Sequence, residues 1–205
     1  MNPKAEEQGR LAGRRIGVAM AASHCNLARA MAQLAVLVAE GAEVIPIVSA
    51  NVLSTETRFG SPADWTAQIQ QITGKQPLSS IPEVEPFGPR VHLDCLVVMP
   101  CTGNTMAKLA NAITDTPVAM AVKAQLRNDK PVVLAITTND ALGLNARNLG
   151  TLLGARNIYF VPFRQDHPTG KPHSVDADIE NYLVATILEA MEGRQIQPLL
   201  LGPPA

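Results

Sequence analysis

The chain has 205 residues, enough for one domain with a substantial core, and its 17 basic and 18 acidic residues give a formal charge of −1. That balance, with only 3% aromatic residues, argues against a nucleic-acid-binding or anionic-membrane-binding surface. No apolar run approaches the roughly 20 residues of a membrane-spanning helix, the polar N-terminus lacks a secretory signal, and the three cysteines have no metal-type spacing. We therefore predict a reduced, cytoplasmic protein that binds neither nucleic acid nor membrane.

Short apolar runs alternate with amphipathic segments along the chain. The apolar runs predict five strands, at 15–20, 43–48, 93–99, 131–136 and 157–161. The amphipathic segments predict a helix directly after residue 105 and further helices at 28–40, 62–72, 120–127, 141–153 and 175–192. This alternation is typical of a single-domain α/β fold, a Rossmann-like doubly wound parallel sheet with helices on both faces. Residues 1–13 are predicted to be a flexible leader and residues 14–200 the domain.

Three segments of the chain have sequence features that indicate their position or role. Pro46 lies within the second predicted strand, which favours an edge position in the sheet or a point where no ladder donor is needed. The proline-rich stretch 74–90 predicts a long loop, and such loops are functional or disordered. After the fifth strand, the segment 167–173, with Arg164 and Lys171, either closes on an acidic substrate or forms a solvated turn.

Polar residues follow three of the predicted strands, at the segments 21–25, 100–105 and 137–140. In an open α/β sheet, ligands bind at the carboxyl ends of the strands, where loop amides and helix N-termini point into a crevice. Each segment alone is explained by helix capping, as Ser23 illustrates, but three at one sheet edge predict a binding crevice. The chain has no G-x-G-x-x-G, P-loop, G-x-S-x-G or H-E-x-x-H motif, which disfavours a standard dinucleotide site.

Four side chains near these segments are candidates for chemistry. His24 is either a proton donor near the ligand or a surface residue. Arg58 is either a bidentate clamp for a carboxylate or a capping or surface arginine. Cys25 and Cys101 both follow or end strands on the same side, so they are either neighbouring reactive thiols or small buried side chains.

The segment Pro100-Cys101-Thr102-Gly103-Asn104-Thr105, followed by Lys108 and Asp115, resembles the P-A-S-A-N-T flavin motif of the flavoprotein superfamily. That superfamily includes phosphopantothenoylcysteine decarboxylases, lantibiotic peptide cysteine decarboxylases and flavin prenyltransferases. A more specific similarity links the chain to the family of dipicolinate synthase B subunits. It rests on the segments 23–25, 55–60, 101–111, 138–145 and 157–163, and covers roughly residues 14–200.

The resemblance implies a flavin site, with FMN as the cofactor. The residues matched to cofactor binding are Ala22, Ser23, Ser49, Thr102, Gly103, Asn104, Thr105, Thr138 and Asn139. The candidate catalytic residues are Arg58, Asn104 and His24. Among the cofactor residues, Ser23 and Ser49 are expected at the phosphate.

The resemblance also implies a role in making dipicolinic acid from a dihydrodipicolinate-type precursor during sporulation, in the mother cell of a spore-forming bacterium. The family acts with a second protein, the A subunit of dipicolinate synthase, which carries a dinucleotide-binding domain. NADP is therefore expected on the partner, in agreement with the missing G-x-G-x-x-G here. The superfamily also implies a homo-oligomer and a small dicarboxylate substrate.

The chain departs from the decarboxylases of the superfamily at two places. Their P-x-M-N-x-x-M-W segment corresponds to residues 137–142 here, where only Asn139 matches. Their catalytic histidine has no obvious counterpart, and Arg58 lies in that neighbourhood instead. An oxidoreductase subunit is therefore predicted. The alternatives are an FMN-dependent decarboxylase of the cysteine decarboxylase type and a non-catalytic protein that stabilises the A subunit.

Overall fold

A computed structural model describes residues 9–202, with the side chain of His24 left outside the description. Residues 1–8 of the predicted leader therefore lie outside the described residues. Residues 9–13 are held against the domain, because Leu11 is fully buried and its N–H donates to the Glu40 carbonyl oxygen at 2.9 Å. Arg10 forms an ion pair with the Glu40 carboxylate. The packed domain thus begins before residue 14.

The described chain contains seven strands and eight helices. The strands are β1 (Arg15–Met20), β2 (Glu43–Val48), β3 (Cys95–Cys101), β4 (Val132–Thr138), β5 (Ile158–Phe160), β6 (Phe163–His167) and β7 (Lys171–Ala177). The helices are α1 (His24–Ala39), α2 (Ala50–Ser54), α3 (Pro62–Thr73), α4 (Ile81–Val84), α5 (Gly103–Ala110), α6 (Pro117–Leu126), α7 (Ala146–Leu153) and α8 (Ile179–Met191). None of the helices described is long and apolar enough to span a bilayer.

Five parallel strands form the centre of the sheet, in the order β2-β1-β3-β4-β5. All seven residues of β3 are buried, as expected for a central strand covered by helices on both faces. Pro46 lies in the outermost parallel strand, β2, so the edge position predicted from the proline is confirmed. The strand order reverses between β1 and β3, and this switch point opens a crevice at their carboxyl ends.

An antiparallel hairpin, β6–β7, extends the sheet beyond the predicted five strands. β7 pairs with the end of β4 through Thr137↔Asp176 and Thr138↔Val175. The prediction of a loop at 167–173 followed by a helix from residue 175 was wrong at this point. The helix begins at Ile179, because Asp178 accepts a hydrogen bond from the Asn181 N–H and caps it. The sheet is therefore mixed rather than entirely parallel.

Local capping sets the other helix ends. Ser61 and Asp64 form the capping box that begins α3, and Gly74 ends this helix in the left-handed conformation. α6 begins three residues before its predicted start, because Thr116 caps the Ala119 N–H and Pro117 occupies the first turn. The segment 141–145 is a turn rather than the start of α7. The short helices α2 and α4 were not predicted from the sequence.

Candidate functional site

Two neighbouring cavities lie at the carboxyl ends of the parallel strands. The Ser49 cavity, about 610 Å³, is lined by residues 21–22, 49–51, 102, 104–105, 108 and 115–118. The hairpin cavity, about 450 Å³, is lined by residues 22–23, 25–26, 29, 102, 137–139, 166, 171 and 174–176. Ala22 and Thr102 border both, so the two cavities adjoin at the ends of β1 and β3. Both volumes are typical of small-molecule sites.

The Ser49 cavity is lined by a residue with an unsatisfied hydroxyl and by the start of a helix. The Oγ atom of Ser49 is buried and has no hydrogen-bond partner within the described residues. Thr102 caps α5 by accepting from the Thr105 N–H at 3.2 Å, which leaves the N–H groups of Gly103 and Asn104 without a partner in the helix. Asn104 is exposed in the same turn. These groups suit an anionic or hydrogen-bond-accepting ligand.

Lys108 and Asp115 form an ion pair on the wall of the Ser49 cavity. The Lys108 ammonium lies 2.6 and 2.7 Å from the two carboxylate oxygens of Asp115. This hydrogen bond is the main reason that the pKa of Asp115 falls below its usual value. The two residues that extend the P-A-S-A-N-T-like motif therefore meet in space and link α5 to the segment before α6.

Behind the motif, a polar network leaves no room for a side chain at position 103. An ideal Cβ on Gly103 would lie 2.5 Å from Asp140 Oδ1 and 2.6 Å from Thr138 Oγ1. Asp140 accepts hydrogen bonds from Thr138 Oγ1 and from Asn145 Nδ2, both at 2.6 Å. The network continues through Asn145 to Asn148, which is also buried. Gly103 thus permits α5 to approach the end of β4 closely.

The hairpin cavity begins at the N-terminus of α1. Ser23 Oγ accepts a hydrogen bond from Asn26 Nδ2 at 2.9 Å, and the same amide lies 3.4 Å from Cys25 Sγ. Ser23 occupies the N-cap position of α1 as predicted, but its side chain makes no capping hydrogen bond. The start of this helix is therefore not closed by the Ser23 hydroxyl.

An ion network ties the opposite wall of the hairpin cavity to α1 and α8. Arg29 donates to Asp176 Oδ2 at 2.9 Å and to both carboxylate oxygens of Glu180 at 2.8 and 2.9 Å. These hydrogen bonds, chiefly those to Glu180, raise the pKa of Arg29 above its usual value. Arg164 is similarly held by Asp178 at 2.5 Å. Both arginines therefore form ion pairs that link the hairpin to the helices.

In the hairpin cavity, Lys171 is a cation that is more available to a ligand than Arg29. Its ammonium is paired only with Asp166, at 2.7 Å, within the described residues. The Lys171 side chain is 58% exposed, so solvent screens its attraction to Asp166. A ligand carboxylate can therefore replace Asp166 at small cost.

The three cysteines divide into one exposed and two buried thiols. Burial raises the pKa of the Cys101 thiol to about 12. Burial, with a smaller contribution from the Asp94 charge, also raises the pKa of Cys95. Of the two interpretations of Cys101, the small buried side chain is therefore confirmed and the reactive thiol is excluded, whereas Cys25 is exposed on the wall of the hairpin cavity.

The structure places one of the three candidate catalytic residues away from the cavities and one at a cavity, and it does not describe the side chain of the third. Arg58 is exposed, lies 4.8 Å from the centre of the Phe59 ring, and is not among the described residues that line either cavity. The backbone of His24 begins α1, but its side chain lies outside the described residues. Asn104, the third candidate, lines the Ser49 cavity.

The predicted cofactor residues are divided between the cavities. Ser49, Asn104 and Thr105 line the Ser49 cavity. Ser23, Thr138 and Asn139 line the hairpin cavity. Ala22 and Thr102 line both, and Gly103 lies behind them.

Several residues of the hairpin cavity were missed by the sequence reasoning, chiefly Arg29, Ser174 and Asp176. A signal was present for two of them. The runs 163–167 and 171–177 flank a short Gly-containing turn, which is a typical hairpin pattern. The pairing of Arg29 with Asp176 across 147 residues has no local signal.

Comparison with known proteins identifies the family. The model of the Flavoprotein family matches residues 4–186. The chain belongs to this family. It is 51% identical over 191 residues to the B subunit of dipicolinate synthase from Bacillus subtilis (strain 168), across 93% of this chain and 95% of that protein.

Solved structures agree with the assignment. The crystal structure of the dipicolinate synthase B subunit from Bacillus halodurans C superimposes with a TM-score of 0.86 at 47% identity, covering 94% of this chain and 98% of that one. The FMN-dependent cysteine decarboxylase SpaF superimposes with a TM-score of 0.60 at 21% identity, covering 88% and 98% of the two chains. The second likeness shows the shared fold alone.

The residues of the Ser49 cavity fit a flavin mononucleotide. The orphaned Ser49 hydroxyl and the free N–H groups of α5 suit a phosphate or the carbonyl edge of a flavin ring. Ala22 keeps the approach to the strand ends free of a large side chain. The alanine pair 21–22 leaves small Cβ atoms beside this approach.

Proposed function

We propose that this flavoprotein is the B subunit of a two-component dipicolinate synthase, which forms dipicolinic acid from a dihydrodipicolinate-type precursor during sporulation. The observation that carries the proposal is the 51% identity to the dipicolinate synthase B subunit, which extends over 93% of the chain and includes the site motifs. The two adjoining cavities support it, because such an oxidation requires a cofactor and a substrate side by side.

We assign the Ser49 cavity to FMN. Ser49 and the N-terminus of α5 would hold the phosphate or the ring edge, with Asn104 and Thr105 as further hydrogen-bonding groups. Ala22 and Thr102 would lie under the part of the cofactor that faces the hairpin cavity. When bound, FMN supplies a two-electron acceptor, and the protein contributes orientation and electrostatics.

We assign the hairpin cavity to the dicarboxylate substrate. Lys171 provides a cation whose present partner is easily exchanged, and Ser23 and the N-terminus of α1 provide hydrogen-bond donors. Asn139 lies at the same cavity and is exposed to a ligand. Aromatisation of a dihydropyridine removes two electrons and two protons, and placing the substrate against the shared border at Ala22 and Thr102 brings it to the electron acceptor.

The partner in this proposal is the A subunit of dipicolinate synthase, which would carry the NADP site. Within the chain, no G-x-G-x-x-G follows a strand, so nicotinamide chemistry is assigned to the partner. Activity would then require both proteins. We also expect a homo-oligomer in the cytoplasm of the mother cell, as the family resemblance implies. Arg58 and His24 stay as predicted catalytic residues.

The proposal is tested with the purified chain, with and without the A subunit. The absorbance spectrum is recorded first, FMN is titrated next, and dipicolinate formation from dihydrodipicolinate is then measured with NADP present. We expect a flavin spectrum or saturable FMN uptake, and dipicolinate formation that needs both subunits. No chromophore and no FMN uptake would exclude the flavin site.

The Asn104→Ala variant distinguishes the proposed synthase from a protein that only stabilises its partner. In the proposed synthase, Asn104→Ala lowers FMN affinity and dipicolinate formation together, because this side chain faces the cofactor cavity. Full activity of the variant in the presence of the A subunit would instead show a protein that only stabilises its partner. Release of carbon dioxide from a cysteine-containing peptide by the chain alone would show a decarboxylase.

A further inference from the structure

Lys108 is the single basic side chain among the described residues that line the Ser49 cavity. It lies one turn after Asn104 and Thr105 on the same face of α5, and all three residues border the cavity. The Lys108 side chain is only 21% exposed, although lysine is among the residues most often found at the surface. An anionic ligand in this cavity therefore has one side-chain ammonium in the surrounding walls.

The ion pair with Asp115 leaves part of the Lys108 ammonium free. The two carboxylate oxygens of Asp115 accept from it at 2.6 and 2.7 Å, and these are its only hydrogen bonds within the described residues. An ammonium has three N–H donors, so the third is available to a ligand without loss of the pair. The Asp115 side chain is 58% exposed, and solvent can therefore take over its part of the interaction.

The start of α6 provides a second donor close to this pair in the chain. Thr116 caps the Ala119 N–H at 3.1 Å, and Pro117 has no N–H of its own. The Val118 N–H is consequently left without a partner in the helix, and Val118 lines the same cavity. The positive end of the α6 dipole lies at this point and favours an anion.

The Ser49 hydroxyl is an independent indication that the cavity takes a ligand. Its Oγ atom is buried, has no hydrogen-bond partner within the described residues, and belongs to a residue that lines the cavity. A buried polar atom of this kind is costly unless a bound molecule satisfies it. Together with Lys108 and the Val118 N–H, it describes a site for a ligand that has several acceptor oxygens and a negative charge.

We propose that Lys108 is the cation that binds a phosphate monoester in the Ser49 cavity, with Asp115 as its exchangeable counter-ion. This inference rests on the proposed function, because the monoester is the phosphate of the FMN assigned to this cavity. A phosphate monoester has about two negative charges at neutral pH and three acceptor oxygens. A flavin ring carbonyl is a neutral acceptor and does not require a cation. Asp115 opposes the phosphate charge and so limits the affinity that Lys108 provides.

FMN and riboflavin are matched probes, since they differ only in the phosphate. Flavin fluorescence titration of the full chain gives both dissociation constants, and their ratio isolates the contribution of the phosphate. Lys108→Met should lower FMN affinity about tenfold, as expected for a lost hydrogen bond between charged groups. Riboflavin affinity should change by less than about twofold, which also shows that the variant is folded. Lys123→Met, at an exposed position of α6 outside the cavity lining, is the control and should change neither affinity.

Asp115→Asn tests the counter-ion. The substitution removes a negative charge near the phosphate, so FMN affinity should rise about threefold while riboflavin affinity stays the same. Opposite effects of the two substitutions indicate phosphate binding, because loss of a purely structural ion pair would weaken both flavins in both variants. Equal losses for FMN and riboflavin in Lys108→Met, or an FMN affinity that stays the same or falls in Asp115→Asn, would overturn the inference.

The dicarboxylate is the other anion in the proposed function that Lys108 could bind. Dipicolinate is therefore the third probe, and Lys108→Met should leave its affinity within about twofold of the original. A tenfold loss of dipicolinate affinity with FMN affinity intact would overturn the inference.

The same titrations separate a failure of the inference from a failure of the proposed function. FMN uptake that does not depend on Lys108 refutes the inference alone. Uptake of neither flavin, with binding of inorganic phosphate that depends on Lys108, would refute the proposed cofactor and retain the phosphate site. If neither flavin nor inorganic phosphate binds, both are overturned.

Discussion

Asp140 occupies the space beside Gly103, so that its Oδ1 atom lies 2.5 Å from the position of an ideal Cβ on that glycine. Thr138 Oγ1 and Asn145 Nδ2 close the same space at 2.6 and 2.9 Å. A methyl group at position 103 must therefore displace side chains that are hydrogen-bonded to each other. The close approach of α5 to the end of β4 depends on the missing side chain.

Gly103→Ala is accordingly expected to destabilise the protein. Separating Asp140 from Thr138 or Asn145 should cost about 1–3 kcal/mol, the typical penalty for a broken hydrogen bond at a partly buried group. Urea unfolding measures the change. Gly150→Ala is the matched control, because this helical glycine of α7 has open space around its Cβ position. The control should be neutral or gain up to about 1 kcal/mol from helix propensity, and equal effects of the two substitutions would contradict the steric argument.

Lys171→Met is expected to weaken substrate binding more than turnover. Removal of the ammonium takes away a charge-assisted hydrogen bond to a carboxylate, so KM for the dicarboxylate should rise about tenfold while kcat changes little. Steady-state kinetics of the two-component enzyme provides the measurement. Lys130→Met, an exposed lysine outside the lining of the hairpin cavity, is the control. An unchanged KM would show that Lys171 does not contact the substrate.

Glu180 should contribute stability that is present at neutral pH and lost in acid. The hydrogen bond from Arg29 holds the pKa of Glu180 below its usual value, so the folded state binds its proton less readily than the unfolded state, where the pKa is about 4.3. The contribution is complete above about pH 5 and declines as the pH falls through the folded pKa.

Glu180→Gln should therefore lower the free energy of unfolding at pH 7 by up to about 1 kcal/mol, since the pair is half exposed and screened by solvent. The difference from the original chain should shrink as the pH falls through the folded-state pKa of Glu180. Chemical denaturation at a series of pH values measures it. Glu56→Gln, at an exposed position with no ion pair among the described residues, should show no such dependence.

Gln195→Ala should loosen the free edge of β5. The Gln195 side chain accepts from the Phe160 N–H and donates to the Phe160 carbonyl oxygen, both at 2.8 Å, as a neighbouring strand would. Loss of these two bonds at a part-buried edge should cost about 1–2 kcal/mol. Hydrogen exchange at the Phe160 amide should accelerate, whereas the exposed Gln68→Ala leaves it unchanged. Unaltered exchange in the Gln195 variant would show that the edge is protected by other contacts.

Cys25 should be the cysteine that reacts first with iodoacetamide. Cys95 and Cys101 are buried, and burial raises the pKa of each thiol. Mass spectrometry of the folded protein at pH 8 should find one modification, and Cys25→Ser should abolish it. Because Cys25 lines the hairpin cavity, its alkylation is also expected to lower dipicolinate formation by the two-component enzyme. Labelling of Cys101 at a similar rate would contradict the described burial.

The parallel core could be predicted from the sequence because its signals are local. The continuous apolar run of β3 and the proline in β2 each indicate a position in the sheet without reference to distant residues. The crevice was also predictable, since small polar residues follow β1, β3 and β4. The hairpin was missed because its polar residues are typical of a loop, although Phe163 and Val175 are buried.

The details of the site depended on contacts between remote residues. Asp140 and Asn145 exclude a side chain at Gly103, and Asp176 meets both Arg29 and Thr137. None of these pairs has a characteristic spacing along the chain.

The β6–β7 hairpin joins the parallel strands through only two register pairs, at Thr137 and Thr138. It nevertheless carries Lys171, Ser174 and Asp176 into the cavity wall. Under the proposed function, the cation that binds the acid and the groups that hold the cofactor therefore lie on different segments of the chain. Mutation within one short ribbon can change which molecule is accepted, while the α/β scaffold that would hold the flavin stays as it is. A fold divided in this way can acquire new substrates without rebuilding its core.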